Sequence, residues 1–112
     1  MAYVLSKSPT LTAKVEVTEP GNAPDGSVEN FTFVAVFRRL DSDELDALLK
    51  SNKPIRTVLA DLLAGWSDLR DATGQELPFT TEYRDSLLKI PHAVVGLWGA
   101  FLEAHSGAAR KN

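Results

Sequence analysis

The chain has 112 residues, of which 44% are apolar and 24% are charged, and its formal net charge is −3. This size and composition predict a single globular domain over residues 1–112 and exclude a chain that is disordered throughout. Because cysteine is absent, a disulfide framework, a thiolate metal site and a cysteine nucleophile are excluded. The acidic balance disfavours nucleic acid as a partner, and no apolar run approaches the roughly 20 residues that span a membrane.

The first part of the chain has the alternating pattern of β-strands. Apolar and polar residues alternate over residues 11–18, and residues 28–39 form a second strand candidate that is apolar on both faces through its middle. In the second segment, four residues share one face: Phe31, Phe33, Ala35 and Phe37. Residues 19–27 between the segments are rich in proline, glycine, asparagine and aspartate, which is typical of a turn. The pattern predicts an N-terminal antiparallel β-hairpin, preceded by a flexible lead-in over residues 1–10.

After the hairpin, the apolar spacing changes to the period of an α-helix and predicts about four helices. Their predicted ranges are residues 41–51, 54–64, 81–90 and 91–106. Asp41 and Glu44 have the spacing of a capping box, and Pro54 suits the first turn of a helix. Residues 66–79 are predicted as a turn segment, and residues 107–112 as a flexible tail. Strands followed by helices predict an α+β fold.

A search for catalytic or metal-binding residues is largely negative. His92 and His105 are the only histidines, and their spacing does not suit a zinc site. An EF-hand loop starting at Asp41 would need glycine and glutamate where Asp46 and Asn52 stand, so the acids there are interpreted as helix-start residues. No phosphate-binding glycine motif or nucleophile elbow is present. We therefore expect neither an enzyme nor a cofactor.

Apolar residues that the predicted core does not need are candidates for partner binding. Val34 and Val36 lie on the second face of the second strand, where they either pack under a helix or meet another chain. Val94 and Leu97 are interpreted as spare apolar positions on the last helix. These four residues are the predicted partner-binding set.

A series of packing and turn residues marks the second half of the chain, from about residue 55 to residue 112. In order they are Trp66, the D-x-x-G turn at Asp71 to Gly74, the segment Leu77, Pro78, Phe79 and Thr80, the helix opened by Pro91 with Val94, Trp98 and Phe101, and the terminal Lys111 and Asn112. This order resembles the tail assembly chaperones of long, non-contractile-tailed phages and prophages. The hairpin half agrees with that family only in its general character.

The resemblance implies a protein that binds the tape measure protein and keeps it soluble until tail tube subunits polymerise around it. It also implies the tail tube protein, a frameshifted longer form of the same chain and self-association as further partners. The frameshift would occur near Lys111 and Asn112, whose codons can form an A-rich slippery sequence. Such a chaperone is expected in the host cytoplasm and not in the mature virion.

Two alternatives belong to other classes of protein. A structural minor tail or connector protein would have a similar composition but would stay in the virion. A small regulatory or antitoxin-like binder would be expected to carry a basic helix or an operator-reading motif, and the sequence has neither.

Overall fold

The computed structural model describes residues 1–106, which adopt the predicted α+β fold. The strands are β1 (Thr10–Pro20), β2 (Val28–Arg38) and β3 (Leu63–Ser67), and they form an antiparallel sheet in the order β1-β2-β3. The helices are α1 (Ser42–Lys50), α2 (Ile55–Leu62), α3 (Thr81–Leu87) and α4 (Pro91–Ser106). The predicted flexible tail, residues 107–112, lies outside the described residues.

The lead-in differs from the prediction at its end. Thr10 already belongs to β1, opposite Arg38 in the register. The backbone N–H and the Nε of Arg39 donate hydrogen bonds to the carbonyls of Pro9 and Ser8, each at 2.8 Å. Residues 1–9 form no helix or strand, and Tyr3 is exposed. The hydrogen bonds therefore hold the end of the lead-in beside the end of β2.

β3 is the element that the sequence prediction missed. The helix predicted over residues 54–64 ends at Leu62, because Leu63 begins a strand. In the register, Trp66 lies opposite Ala35 and Ser67 lies opposite Val34. The run of apolar residues fits a continuing helix equally well, so only pairing with β2, more than twenty residues earlier in the chain, selects the strand.

The core lies on one face of the sheet, called here the inner face. Val15 and Val17 of β1 and Phe33, Ala35 and Phe37 of β2 are buried there. The other buried side chains come from α2, β3, α3 with its C-cap residue, and α4: Val58, Leu59, Leu62, Leu63, Trp66, Leu87, Leu88, Ala93, Leu97, Ala100 and Phe101. The rings of Phe37 and Phe101 meet edge to face with centroids 5.4 Å apart. This side-chain packing joins the hairpin to the last helix.

α4 packs against the edge strand β1 through small residues. Ala93 and Ala100 are buried in this contact, and Gly96 lies against the backbone of Glu16. Leu97 is fully buried at 0% exposure. Its interpretation as a spare apolar position is therefore wrong, because the small residues beside it bring that side of the helix onto the strand.

Two helix starts have side-chain caps. The Asp41 carboxylate accepts a hydrogen bond from the N–H of Glu44, and the Glu44 carboxylate accepts one from the N–H of Asp41. This reciprocal pair confirms the predicted capping box. The Thr80 hydroxyl accepts from the N–H of Tyr83 at the start of α3. α1 has no fully buried residue; Leu45 and Leu48 pack against the core from partly buried positions, and the cap stabilises the start of the helix.

The D-x-x-G segment forms a turn with a side-chain acceptor at its centre. The carboxylate of Asp71 accepts hydrogen bonds from the hydroxyl and N–H of Thr73 and from the N–H of Gln75. Gly74 has φ +87°, a conformation that favours glycine. After the turn, the Leu77 carbonyl accepts a 2.9 Å hydrogen bond from Nε1 of Trp66. The turn is therefore anchored to β3 through this indole.

Candidate functional site

The histidines have structural surroundings. Nε2 of His105 accepts a 3.1 Å hydrogen bond from the N–H of Leu40, so Nδ1 carries the proton and donates to the Phe101 carbonyl at 3.1 Å. His92 is exposed at the start of α4. Over residues 1–106, no three His, Cys, Asp or Glu side chains are grouped closely enough to hold a metal ion.

The outer face of the sheet carries two of the residues predicted to bind a partner. Val34 and Val36 are adjacent on this face of β2, and both are half-buried. Their cross-strand neighbours on β1 and β3 are polar or glycine: Thr12, Lys14, Gly65 and Ser67. The outer face thus offers a narrow apolar strip with polar borders.

The two predicted residues of α4 do not join that strip. Val94 is half-buried and packs against the core, and Leu97 is buried on the inner side of the sheet. Val95, which the predicted set omits, is 72% exposed. The four predicted residues therefore do not form one surface, because the valines of β2 and Leu97 lie on opposite sides of the sheet.

A more apolar concave surface lies on the inner side, at the end of the hairpin far from α1. We call it the distal groove; its volume is about 380 Å³. Seven apolar side chains line it: Val17, Phe31, Phe33, Leu69, Leu87, Ile90 and Ala93. Phe31 on the hairpin is 49% exposed, and Ile90 at the corner between α3 and α4 is 42% exposed. Two large, half-exposed apolar side chains from different elements therefore line one groove.

The groove exists because β3 is shorter than its neighbours. β3 last pairs with β2 where Ser67 faces Val34, and Asp68 then adopts φ +64°. This left-handed conformation is tolerated by aspartate and turns the chain away from β2. Phe31 and Phe33 both lie beyond the last pair and share one face, but Phe33 is buried whereas Phe31, nearer the hairpin turn, is half-exposed. The sequence predicted the shared face, and the structure shows that the cover over this face ends between the two rings.

Acidic side chains lie on the hairpin next to the distal groove. Glu19 and Glu29 are directly opposite each other in the register, two residues beyond Val17 and Phe31 on the same face. Among residues 1–106, neither carboxylate forms an ion pair. Like charges placed directly opposite on two strands destabilise the pair. This end of the groove therefore carries two carboxylates that have no ion-pair partner among the described residues.

The cation that lines the groove is already bound by nearby groups. Arg70 contacts the carboxylate of Asp68 at 3.2 Å and that of Glu76 at 3.8 Å. Its Nη1 also donates a 3.1 Å hydrogen bond to the Gly74 carbonyl. Arg70 is therefore bound to groups of the turn segment and forms no ion pair with Glu19 or Glu29.

A second groove, of about 580 Å³, lies between α1 and α2 and is lined more by charged groups. Arg38 and Asp61 form an ion pair there at 3.2 Å, and Glu44 and Lys53 also line it. Surface pairs of this kind contribute little to stability or binding. The distal groove is the better candidate for an apolar partner.

No single helix among residues 1–106 is long and apolar enough to cross a membrane; α3 and α4 meet that criterion only as a pair bent by 100°. Comparison of the chain with protein-family models, with curated proteins and with solved structures finds no match.

Proposed function

We propose that the protein is a tail assembly chaperone of a phage or prophage, which binds the tape measure protein before the tail tube forms. The observation that carries the proposal is the order of packing and turn residues from about residue 55 onward. Trp66, the turn from Asp71 to Gly74, Phe79 and the helix opened by Pro91 follow the order of that family. This part of the chain is about half of its length, and the hairpin adds no motif.

The exposed apolar side chains support a protein that covers another one. Phe31, Ile90 and Val95 are large and exposed on a folded domain. A long helical partner can place the apolar side of its helices against such positions. Many copies bound along one partner would together give tight binding. Each single copy would bind weakly enough for tail tube subunits to displace it. The net charge of −3 would help keep coated complexes apart.

The proposal names the tape measure protein as the main partner and the host cytoplasm as the place of action. The tail tube protein, self-association and a frameshifted longer form are its further proposed partners. The longer form has a direct test in the gene: an A-rich slippery heptamer over the codons of Lys111 and Asn112 supports it. A gene without such a run would reject it.

The deciding experiment is coexpression with the tape measure protein encoded in the same genome. We expect the tape measure protein to be soluble and to co-purify with this chain, and to aggregate without it. An insoluble tape measure protein in both cases, with no co-purification, would overturn the proposal. A gene order with the tape measure gene directly downstream would support it independently.

A structural minor tail or connector protein is the alternative, and mass spectrometry of purified virions separates the two. The chaperone is expected to be absent from finished particles. Stoichiometric amounts of the chain in the virion would favour the structural protein instead.

The residues predicted to bind the partner have their own test. The hypothesis that the outer sheet face binds predicts weaker co-purification for Val36→Asp, with the far-ultraviolet circular dichroism spectrum unchanged. Val36 is half-buried on a face with polar neighbours, so a charge there should be tolerated by the fold. Unchanged co-purification would reject this face as the binding surface.

A further inference from the structure

The distal groove has two properties that together describe its occupant. Its lining is mostly apolar, and Phe31 on the hairpin and Ile90 at the corner between α3 and α4 are half-exposed there. Its hairpin end carries Glu19 opposite Glu29, a like-charge pair with no counter-ion among residues 1–106. An apolar ligand alone would leave this repulsion in place. A ligand that carries a cation next to its apolar part would relieve it.

The spacing of these two properties suits a helix. Two residues along a strand, from Val17 to Glu19, cover about 6.8 Å. Four residues along an α-helix cover about 6 Å. A helix lying along the hairpin would therefore place an apolar side chain at position i over Phe31, and a lysine or arginine four residues away beside Glu19 and Glu29.

The size of the groove suits anchor side chains from such a helix. A volume of about 380 Å³ is near the lower end of the roughly 300–1,000 Å³ of typical binding pockets. Apolar anchors that fill a small pocket at the centre of an interface commonly supply most of its binding energy. The half-exposed ring of Phe31 and the half-exposed side chain of Ile90 would contact such an anchor.

We propose that the distal groove binds an amphipathic helix whose apolar stripe is followed, one turn along, by a lysine or arginine. This inference deepens the proposed function and rests on it for the identity of the helix, which would belong to the tape measure protein. Phe31 and Ile90 contact the apolar stripe, and Glu19 and Glu29 pair with the basic residue. Binding at the groove is consequently sensitive to salt, because its charged part is exposed.

The first experiment measures co-purification of the tape measure protein with groove variants of the full chain. Phe31→Asp and Ile90→Asp change one wall each, and Leu49→Asp is the matched control. Leu49 on α1 is 54% exposed and does not line the groove. We expect binding to weaken about tenfold or more for each groove variant and to stay at the wild-type level for the control. Wild-type binding by both groove variants would overturn the proposal.

The second experiment needs no variant that could misfold. The probe is a designed helical peptide with an apolar stripe and lysine four residues after each apolar anchor, and its control has glutamate in place of lysine. We expect the lysine peptide to shift the backbone amide NMR signals of Phe31 and Ile90, and the glutamate peptide to leave them unchanged. Equal shifts with both peptides, or none with either, would contradict the inferred role of Glu19 and Glu29.

The two proposals fail in different ways. If the wild-type chain binds the tape measure protein and both groove variants bind it equally, the groove is wrong and the chaperone function stands. If the lysine peptide binds the groove but the tape measure protein does not co-purify, the function is wrong and the groove stands. If sedimentation shows a wild-type dimer that Phe31→Asp converts to a monomer, a second copy of the chain occupies the groove, which overturns the proposal.

Discussion

Gly96 of α4 lies against the backbone carbonyl of Glu16 in β1. A Cβ atom added to Gly96 would stand 2.5 Å from that carbonyl oxygen, a distance that requires the helix or the strand to move. The contact places α4 beside the edge strand of the sheet, so that the helix shields part of an edge that would otherwise be open to pairing. At this distance between α4 and β1, only glycine fits at position 96.

Gly96→Ala is expected to lower the free energy of unfolding by about 1–3 kcal/mol, because the methyl group overpacks a contact with backbone atoms. Gly99→Ala is the matched control, since nothing lies within 4 Å of a Cβ at that position. Alanine favours a helix over glycine by about 1 kcal/mol, so the control should be neutral or stabilising. Urea unfolding followed by circular dichroism measures both. Equal stability of the two variants would show that the close approach does not hold in solution.

Trp66→Phe is expected to destabilise the protein by about 1–3 kcal/mol, since it removes the donor that bonds the Leu77 carbonyl. The indole also meets the Phe79 ring edge to face at 4.8 Å, a contact that phenylalanine keeps only in part. Trp98→Phe is the control for the change in size, because Trp98 stacks on Phe101 without a hydrogen bond among the described residues. A loss as large for Trp98 as for Trp66, measured by chemical unfolding, would argue against the importance of the hydrogen bond.

Asp71→Ala is expected to change how stability depends on pH. The hydroxyl of Thr73 and the N–H of Gln75 donate to the Asp71 carboxylate and hold its pKa below the ordinary value of 3.8. Because the folded-state pKa is lowered, the stabilisation is complete above the unfolded-state pKa and is lost as pH falls through the folded-state pKa. The variant should therefore be less stable than the wild type near neutral pH, with a difference that shrinks below pH 3.8.

Unfolding midpoints in urea over a series of pH values measure this difference. Asp46→Ala is the control, since Asp46 forms no hydrogen bond or ion pair among residues 1–106. A gap between wild type and Asp71→Ala that stays constant into acid would contradict the role assigned to the ionised carboxylate.

His105→Ala is expected to cost about 1 kcal/mol of stability, because the Leu40 N–H and the Phe101 carbonyl each lose a side-chain partner. Hydrogen exchange of the Leu40 amide, followed by NMR, should speed up in the variant. His92→Ala serves as the control, since His92 is exposed and forms no hydrogen bond within residues 1–106; surface changes of this kind stay within about 0.5 kcal/mol. Unchanged exchange at Leu40 would show that the imidazole does not protect that amide.

Elements with strong local signals could be predicted from the sequence. Asp41 and Glu44 carry the capping box, and the turn of Asp71 and Gly74 forms where its residue types indicate. The alternation in residues 11–18 and the apolar strand pattern of residues 28–39 predicted the hairpin, which the structure confirms. β1 is longer than predicted at both ends, and β2 ends one residue earlier, at Arg38. These features depend on residues that are near each other in the chain.

The sequence predictions failed where contacts between distant parts of the chain decide the structure. Leu63 begins a strand instead of ending a helix because β2 is available for pairing. Leu97 is buried because Gly96 and its alanine neighbours allow α4 to approach β1, which a search for large apolar residues does not detect. Exposure of Phe31 depends on which distant segments cover this end of the hairpin, so no local pattern could show it.

Composition, hydrophobic period and capping chemistry act over a few neighbouring residues, so an acidic, cysteine-free α+β chain could be predicted from the sequence. Which apolar side chains stay exposed follows only from the folded arrangement. That depends on the lengths of paired strands and on the closeness of helix to sheet, both of which are set by packing between distant segments. The same packing leaves Phe31 and Ile90 exposed beside Glu19 and Glu29.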